Sequence, residues 1–141
     1  MTSLAKVTTD KFVHLRKGAW RLRARTDFER VRREGRSWSH QLLVLVACPN
    51  ASGLTRVGVA AGKRVGSAVV RNRAKRLMRE AVRQYYPYIR TGWDLLLIAR
   101  VSIVPVKLQA VAAALESLLR QADLLLAVSE QAGSPFQQQT E

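Results

Sequence analysis

The chain has 141 residues and a mass of 15.8 kDa, which is the size of one ordinary domain. Its 24 Lys and Arg residues outnumber ten Asp and Glu residues, so the net charge of +14 indicates a polyanionic partner, either a nucleic acid or an anionic membrane surface. The single cysteine, Cys48, excludes an internal disulfide framework and a cysteine-based zinc cluster, and no apolar run is long enough for a transmembrane helix. Because the N-terminal residues lack a long apolar segment, we expect no secretory signal and a cytoplasmic, nucleic-acid-binding domain.

The basic residues are concentrated in the first hundred positions. Residues 1–100 hold 22 basic and six acidic side chains, whereas residues 101–141 hold two basic and four acidic ones. The densest basic stretches are 11–36 and 71–83. We therefore expect these two stretches to form the binding surface and the C-terminal part to support the fold.

The first predicted element is a helix that begins near Thr26. Residues 1–17, which precede it, show no clear periodicity and are expected to form a flexible arm. Thr26 and Glu29 have the spacing of a capping box, in which the threonine caps the helix and the glutamate reaches back to the cap. Gly35 predicts the end of this helix.

Two strands are predicted next, joined by a short turn. Residues 42–47 form a continuous apolar run that is typical of a buried strand, and residues 55–61 form the second strand. The turn at 49–53 contains Pro, Asn and Gly, so it predicts that the two strands pair as a hairpin.

The remaining predicted elements are a long helix, a third strand and a last helix. The long helix covers 67–86, the strand covers 93–100, and the last helix covers 105–128 with an apolar stripe that indicates packing on a sheet. The tail, 129–141, contains three consecutive Gln residues and is expected to be disordered. The predicted order α-β-β-α-β-α describes one α+β sandwich over 18–128, in which helices cover a small sheet.

The long helix is predicted to have one apolar side and one cationic side. The apolar side comprises Val70, Ala74, Leu77, Met78 and Ala81. The cationic side comprises Arg71, Lys75, Arg76, Arg79 and Arg83, with Arg73 at its edge. Like charges four residues apart on a helix repel, so a ridge of one sign favours a polyanion as its partner over an ordinary solvated face.

A family resemblance rests on this helix. The triplet Arg71-Asn72-Arg73, followed by Lys75-Arg76 and Arg79-Glu80, resembles the Arg-Asn-Arg motif of the protein subunit of bacterial ribonuclease P. The resemblance covers roughly residues 18–125. Its other segments are Arg21-Leu22, Asp27-Phe28, Val31 with Gly35, Arg56-Val57-Gly58-Val59, the stretch 63–69 and the strand 93–100.

The resemblance implies a fold and a function. The implied fold is an α/β sandwich with an uncommon left-handed βαβ crossover, a fold shared with a domain of a small-subunit ribosomal protein. The implied function is removal of the 5′ leader from precursor tRNA by an endoribonuclease, in which the protein binds a large catalytic RNA. The RNA carries the chemistry and holds most of the Mg²⁺, so the protein has no catalytic residue of its own. No membrane and no small-molecule substrate are implied as partners.

The resemblance also assigns site residues. It implies that the catalytic RNA is contacted by Arg71, Asn72, Arg73, Lys75, Arg76 and Arg79, with Lys63 and Arg64 extending that surface towards the substrate. It implies that the leader of precursor tRNA lies in a cleft beside Arg21, Arg23 and Phe28, where single-stranded bases stack on the ring. The sequence departs from the family at Arg32, Leu43 and Val46, where aromatic residues are common, so leader contacts here are expected to depend more on charge.

A nucleotide-binding loop is a weaker interpretation of the glycines before the long helix. Gly58, Gly62 and Lys63 are one residue short of the phosphate-loop spacing, and Arg64 replaces the hydroxyl residue that binds Mg²⁺. The glycines are therefore expected to serve tight turns.

Catalysis by protein side chains also has little support in the sequence. His14 and His40 are two unpaired histidines, and the acidic residues are too scattered for a two-metal nuclease site. Glu80 and Asp94 are interpreted as a helix charge partner and a strand-entry residue. A protein nuclease is therefore the least favoured function.

Two binding functions remain as alternatives. A structural RNA-binding protein, such as a ribosomal protein, would bind RNA but stimulate no cleavage. A DNA-binding protein would use residues 70–83 as a recognition helix, which usually requires a neighbouring helix or a dimer. The predicted element before this helix is a strand, so the DNA-binding alternative is weaker.

Overall fold

The computed structural model describes residues 20–126, and the predicted arm at 1–17 and tail at 129–141 lie outside this range. The helices are α1 (Arg25–Glu34), α2 (Ala68–Tyr85) and α3 (Leu108–Gln121). The strands are β1 (Arg36–Ser39), β2 (Leu43–Pro49), β3 (Arg56–Ala60) and β4 (Trp93–Ala99). Short 3₁₀ turns occupy Lys63–Val65, Tyr86–Tyr88 and Val101–Ile103. This is an α+β fold, as predicted, but β1 was missed, so the predicted element order lacks one strand.

The four strands form one mixed sheet in the order β1-β2-β4-β3. Strand β4 pairs antiparallel with β2 and parallel with β3, so the predicted hairpin between β2 and β3 is wrong. The hairpin instead joins β1 to β2. Strand β4 takes the central position because its apolar run is buried on both faces of the sheet. The unit β3-α2-β4 is a βαβ crossover, and its left-handed sense stays a prediction.

The helices cover both faces of the sheet. Helices α2 and α3 pack on one face, where the largest buried cluster includes Met78, Leu95 and Leu118. Helix α1 packs on the other face, where a smaller cluster contains Val31 and Leu96. Among residues 20–126, no helix is long and apolar enough to cross a membrane.

The helix ends differ from the predictions in three places. The N-cap of α1 is Ala24 without a side-chain hydrogen bond, so the predicted capping box is wrong; Glu29 instead pairs with Arg25 at 3.7 Å. Helix α3 begins at Leu108, after a 3₁₀ turn, and it ends at Gln121. The earlier end follows from Asp123, whose left-handed φ of 59° turns the chain.

Two helix ends follow the sequence. Gly35 ends α1, and a Cβ there would lie 2.6 Å from the Val31 carbonyl oxygen, which leaves room only for glycine. Ser67 caps α2, since its hydroxyl accepts a hydrogen bond from the Val70 N–H at 3.4 Å. The cap lets the helix begin at Ala68, two residues after Gly66, whose φ of 150° favours glycine.

Candidate nucleic-acid interface

A cleft of about 360 Å³ opens between α2, the Phe28 ring of α1 and the outer edge of β3. Its lining residues are Arg21, Leu22, Arg23, Phe28, Val57, Gly58, Val59, Lys75 and Arg79. Four of these are cationic and none is acidic, so the cleft carries a strong positive potential. An anionic chain with flat bases is chemically complementary to such a surface.

One wall of the cleft is the segment that precedes α1. It lies on the open edge of β3, because the Leu22 N–H donates to the Val57 carbonyl at 2.9 Å and the Val57 N–H donates to the Trp20 carbonyl at 2.8 Å. Trp20 is buried, and its ring contacts Tyr86 with centroids 5.7 Å apart. This backbone pairing fixes Arg21 in the cleft wall.

The aromatic part of the cleft depends on a glycine in the middle of β3. A Cβ on Gly58 would lie 2.7 Å from Cε1 of Phe28 and 3.1 Å from the Leu22 carbonyl oxygen. The glycine at position 58 therefore allows the ring to approach the strand closely. The prediction that Gly58 forms a tight turn is wrong. A glycine inside a strand is the sequence signal for such an approach.

Three arginines of the cleft influence one another. Burial lowers the pKa of Arg79, and the positive charges of Arg21 and Arg23 lower it further. Nε of Arg21 is buried and has no hydrogen-bond partner among residues 20–126. Buried donors are normally paired, so this group of cations has the charge and the free donor that an anion would satisfy.

The helix residues predicted to contact catalytic RNA separate into two sets. Lys75 and Arg79 line the cleft together with Arg21, Arg23 and Phe28, so the two predicted surfaces meet there. Asn72 and Arg76 are exposed outside it, and so are Lys63 and Arg64 on the turn before α2. Arg71 is half-buried, and its Nε has no hydrogen-bond partner within the described residues.

Arg73 has a different environment from the other helix cations. Its guanidinium donates to the Val104 carbonyl at 2.9 Å and to the Val106 carbonyl at 3.1 Å. Both carbonyls belong to the segment that leads into α3, so Arg73 ties α2 to that segment. The structure gives Arg73 a role in the fold, and its contact with RNA stays a prediction.

Sequence reasoning missed a buried ionic network on the α1 face. Asp94 is fully buried at the start of β4 and accepts hydrogen bonds from Arg56 Nε at 2.9 Å, Arg56 Nη2 at 2.8 Å and Asn50 Nδ2 at 2.7 Å. Arg30 of α1 donates to the same carboxylate. Burial alone would raise the pKa of Asp94, but the hydrogen bonds from Arg56, Asn50 and Arg30 hold it below its usual value. An acid at the head of an apolar run was the available signal, because a buried carboxylate needs partners.

The candidate acid–base residues have ordinary structural contacts. Nδ1 of His40 accepts the Leu42 N–H at 3.0 Å within the β1–β2 turn, and His14 lies outside the described residues. Glu80 pairs with Arg83 at 4.0 Å, which confirms its role as a helix charge partner. Within residues 20–126, no three His, Cys, Asp or Glu side chains come together as metal ligands would.

Comparisons with known proteins place this geometry in one family. The profile of the family described as Ribonuclease P matches residues 17–123. The ribonuclease P protein component of Roseiflexus castenholzii is 51% identical over 84 residues, which cover 60% of this chain and 69% of that protein. The corresponding component of Herpetosiphon aurantiacus is 45% identical over 104 residues, covering 74% of this chain and 85% of that protein.

Solved structures agree with the sequence matches. The ribonuclease P protein of Staphylococcus aureus superposes with a TM-score of 0.69 at 29% identity, covering 76% of this chain and 98% of that one. The ribonuclease P protein of Thermotoga maritima superposes with a TM-score of 0.66 at 30% identity, covering 72% of this chain and 96% of that one.

Proposed function

Since this chain belongs to the ribonuclease P protein family and is a protein component of that tRNA-processing ribonucleoprotein, we propose that it binds two RNAs at once. One is the catalytic RNA, and the other is the single-stranded 5′ leader of precursor tRNA. The protein has no catalytic residue in this proposal. It acts by holding the leader beside the RNA that cuts it, in the cytoplasm, where precursor tRNA is made.

The observation that carries the proposal is the composition of the cleft. Four cationic side chains, Arg21, Arg23, Lys75 and Arg79, surround one half-buried aromatic ring, that of Phe28. Leader phosphates would satisfy the unpaired donor of Arg21 and the crowded positive charges around Arg79. An unpaired base would stack on the Phe28 ring, a contact worth about 1–3 kcal/mol in single-strand binding.

The exposed cations beside the cleft suit the catalytic RNA. Arg76 and Asn72 on α2, with Lys63 and Arg64 before it, present donors outside the cleft. Arg forms paired hydrogen bonds with phosphate, and Asn adds an acceptor that a ribose hydroxyl can use. Because Lys75 and Arg79 line the cleft while Asn72 and Arg76 are exposed on the same helix, the two RNAs would meet along α2.

Mg²⁺ belongs on the RNA in this proposal. The carboxylates near the cleft do not fit a magnesium site of the protein's own, because Asp94 is occupied by Arg30, Arg56 and Asn50. Asp27 faces the same two arginines at 3.6 and 3.8 Å. The contribution of this chain is to neutralise phosphates where two RNAs approach, which lowers the Mg²⁺ concentration that cleavage requires.

A reconstitution tests the proposal. Precursor tRNA with a 5′ extension is incubated at low Mg²⁺ with the catalytic RNA of the same organism, with and without this protein, beside a lane with protein alone. We expect cleavage at the mature 5′ end only when both components are present. Binding of precursor should also exceed binding of mature tRNA in the assembled complex.

Three results would overturn the proposal. Tight RNA binding with no gain in cleavage would favour a structural RNA-binding protein. Cleavage by the protein alone would show that it carries catalytic residues. Equal binding of precursor and mature tRNA would show that the leader does not bind in the cleft.

A further inference from the structure

Helix α1 (Arg25–Glu34) carries the aromatic wall of the cleft, yet it has little apolar contact with the sheet. Within these ten residues, Val31 alone is buried, and Phe28 is half-buried. The buried apolar cluster on this face consists of Leu22, Val31, Val46, Cys48 and Leu96, with the partly buried Phe28, Val44, Ala60 and Ile98 packed against it. Helix α1 thus contributes two apolar side chains, Val31 and Phe28, to this cluster, and polar contacts contribute the rest of its attachment.

A buried network of charged and polar side chains on this face connects α1 with β3, β4 and the end of β2. Asp94 stands on the central strand β4, and its carboxylate accepts from Arg30 of α1, from Arg56 of β3 and from Asn50 after β2. Arg30 also lies 3.4 Å from the sulfur of Cys48 on β2. One buried carboxylate therefore ties the helix to the strand that faces the cleft.

A second carboxylate closes the network from the helix side. Asp27 lies 3.6 Å from Arg30 and 3.8 Å from Arg56, so both arginines sit between two acids. Asp27 directly precedes Phe28, the residue whose ring lies on Gly58 of β3. A shift of α1 that broke the network would therefore also move the ring.

We propose that Asp94 is a positioning residue for leader binding, which through Arg30 holds α1 and thereby the Phe28 ring in the cleft. This inference rests on the proposed function. It also implies that Arg30 and Arg56, although basic and partly exposed, are neutralised by Asp94 and Asp27 and make no phosphate contact. Arg30 and Arg56 thus differ from Arg21 and Arg79, which have no such acidic partner within the described residues.

Two variants test the proposal. Asp94→Asn keeps the shape of the side chain but removes the charge that holds both arginines. Arg30→Met keeps the aliphatic stem and the Arg56–Asp94 pair, so it removes the direct link between α1 and Asp94, leaves the 3.8 Å contact of Asp27 with Arg56, and remains informative if Asp94→Asn does not fold. Asp123→Asn is the matched control, because Asp123 is an exposed acid paired with Arg90 at 3.6 Å far from α1.

Two measurements separate positioning from general stability. Hydrogen exchange reports the opening of α1 and α2 independently, and we expect faster exchange in α1 with unchanged exchange in α2. Binding to the assembled complex reports the preference for precursor over mature tRNA, and loss of one stacked base corresponds to a decrease of about tenfold. Affinity for the catalytic RNA should stay within about twofold, because its proposed contacts lie on α2 and the turn before it.

The failure of the positioning role of Asp94 can be distinguished from the failure of the proposed function. If the unmodified protein itself shows no preference for precursor tRNA, the proposed function fails. If it shows the preference and folded Arg30→Met retains it in full, the positioning role of Asp94 is wrong. Equal loss of catalytic-RNA binding and leader preference would assign Asp94 to general stability and would also overturn the proposal. Arg30→Lys should restore part of the preference, because a lysine can still pair with Asp94.

Discussion

The ring of Phe28 lies directly over Gly58, so that any side chain at position 58 would occupy the space of the ring. A Cβ there would come within 2.7 Å of one ring carbon, 2.8 Å of the next and 3.1 Å of the Leu22 carbonyl oxygen. The backbone of Leu22 is held by its hydrogen bond to Val57, so the Phe28 ring would have to move to admit a side chain at position 58. The aromatic side of the cleft is therefore set by a glycine.

We expect Gly58→Ala to displace the Phe28 ring and to weaken leader binding. Overpacking of this kind costs about 1–3 kcal/mol of stability, which thermal unfolding would measure. Gly62→Ala is the matched control, since nothing lies within 4 Å of its Cβ position. A Gly58→Ala protein with unchanged stability and unchanged preference for precursor tRNA would show that the ring position is irrelevant.

Arg73 and Arg76 are both arginines of α2, but we expect opposite effects from their replacement. Arg73→Met removes two hydrogen bonds to the segment before α3 and should lower the free energy of unfolding by about 1–3 kcal/mol. Arg76→Met removes an exposed cation and should change stability by less than about 0.5 kcal/mol while weakening binding to the catalytic RNA.

Urea unfolding and RNA titration of the two variants provide the check. The contrast is the informative quantity, because both substitutions remove one positive charge and keep an apolar stem. Equal stability of the two variants would mean that the hydrogen bonds from Arg73 to the carbonyls of Val104 and Val106 do not stabilise the fold.

The buried carboxylate of Asp94 predicts how the free energy of unfolding depends on pH in acid. Burial opposes ionisation, but the hydrogen bonds of Arg56, Asn50 and Arg30 outweigh it, so the pKa is lower in the folded than in the unfolded protein. The resulting stabilisation is fully present above the unfolded value of about 3.9 and is lost as the pH falls through the folded pKa.

Unfolding by urea between pH 2.5 and 7, as chosen conditions, would measure this dependence. We expect the free energy of unfolding to be nearly flat above about pH 5 and to decrease below about pH 4. Asp94→Asn should be less stable at neutral pH and should show a shallower decrease in acid. If the free energy of unfolding of Asp94→Asn decreases in acid as steeply as that of the unmodified protein, the decrease comes from other carboxylates.

The elements with strong local signals were predictable from the sequence. Helix α2 has both an apolar period and the Ser67 cap, and its observed bounds differ from the predicted ones by one residue at each end. Strand β1, in contrast, has only four residues, Arg36–Ser39, and no apolar run. It was missed because its strand conformation comes from pairing with β2.

The errors at longer range have a common physical cause. The turn at 49–53 indicated a hairpin, but a local signal does not tell which strand will insert beside β2. The long apolar run of β4 decides this, since it is buried only with a neighbour on each side. Asp94 and Arg30 are separated by 64 positions, so their contact follows from the same topology and has no local signal.

The cleft itself was predictable only in part. The residues Arg21, Arg23 and Phe28 were identified through the family resemblance, and the structure brings them together. The resemblance assigns Lys75 and Arg79 to the catalytic RNA, and their place in the cleft was not predictable, because helical periodicity gives the angle of a side chain on its own helix but not what that side chain faces. Their position in the cleft comes from the packing of α2 beside β3.

The salt dependence of precursor binding tests which cations of the cleft contact phosphates. On a single strand, each neutralised phosphate contributes about 0.7 to the slope of log K against log salt concentration. Arg79→Gln should therefore reduce the slope by about 0.7, whereas Arg79→Lys should preserve it. Arg120→Gln is the control, because Arg120 is already paired with Glu116 at 2.7 Å on α3. We also expect Arg30→Met to leave the slope unchanged while weakening binding at every salt concentration, since Arg30 acts through the position of α1. If Arg30→Met reduced the slope as much as Arg79→Gln does, Arg30 would contact a phosphate, which contradicts its neutralisation by Asp94.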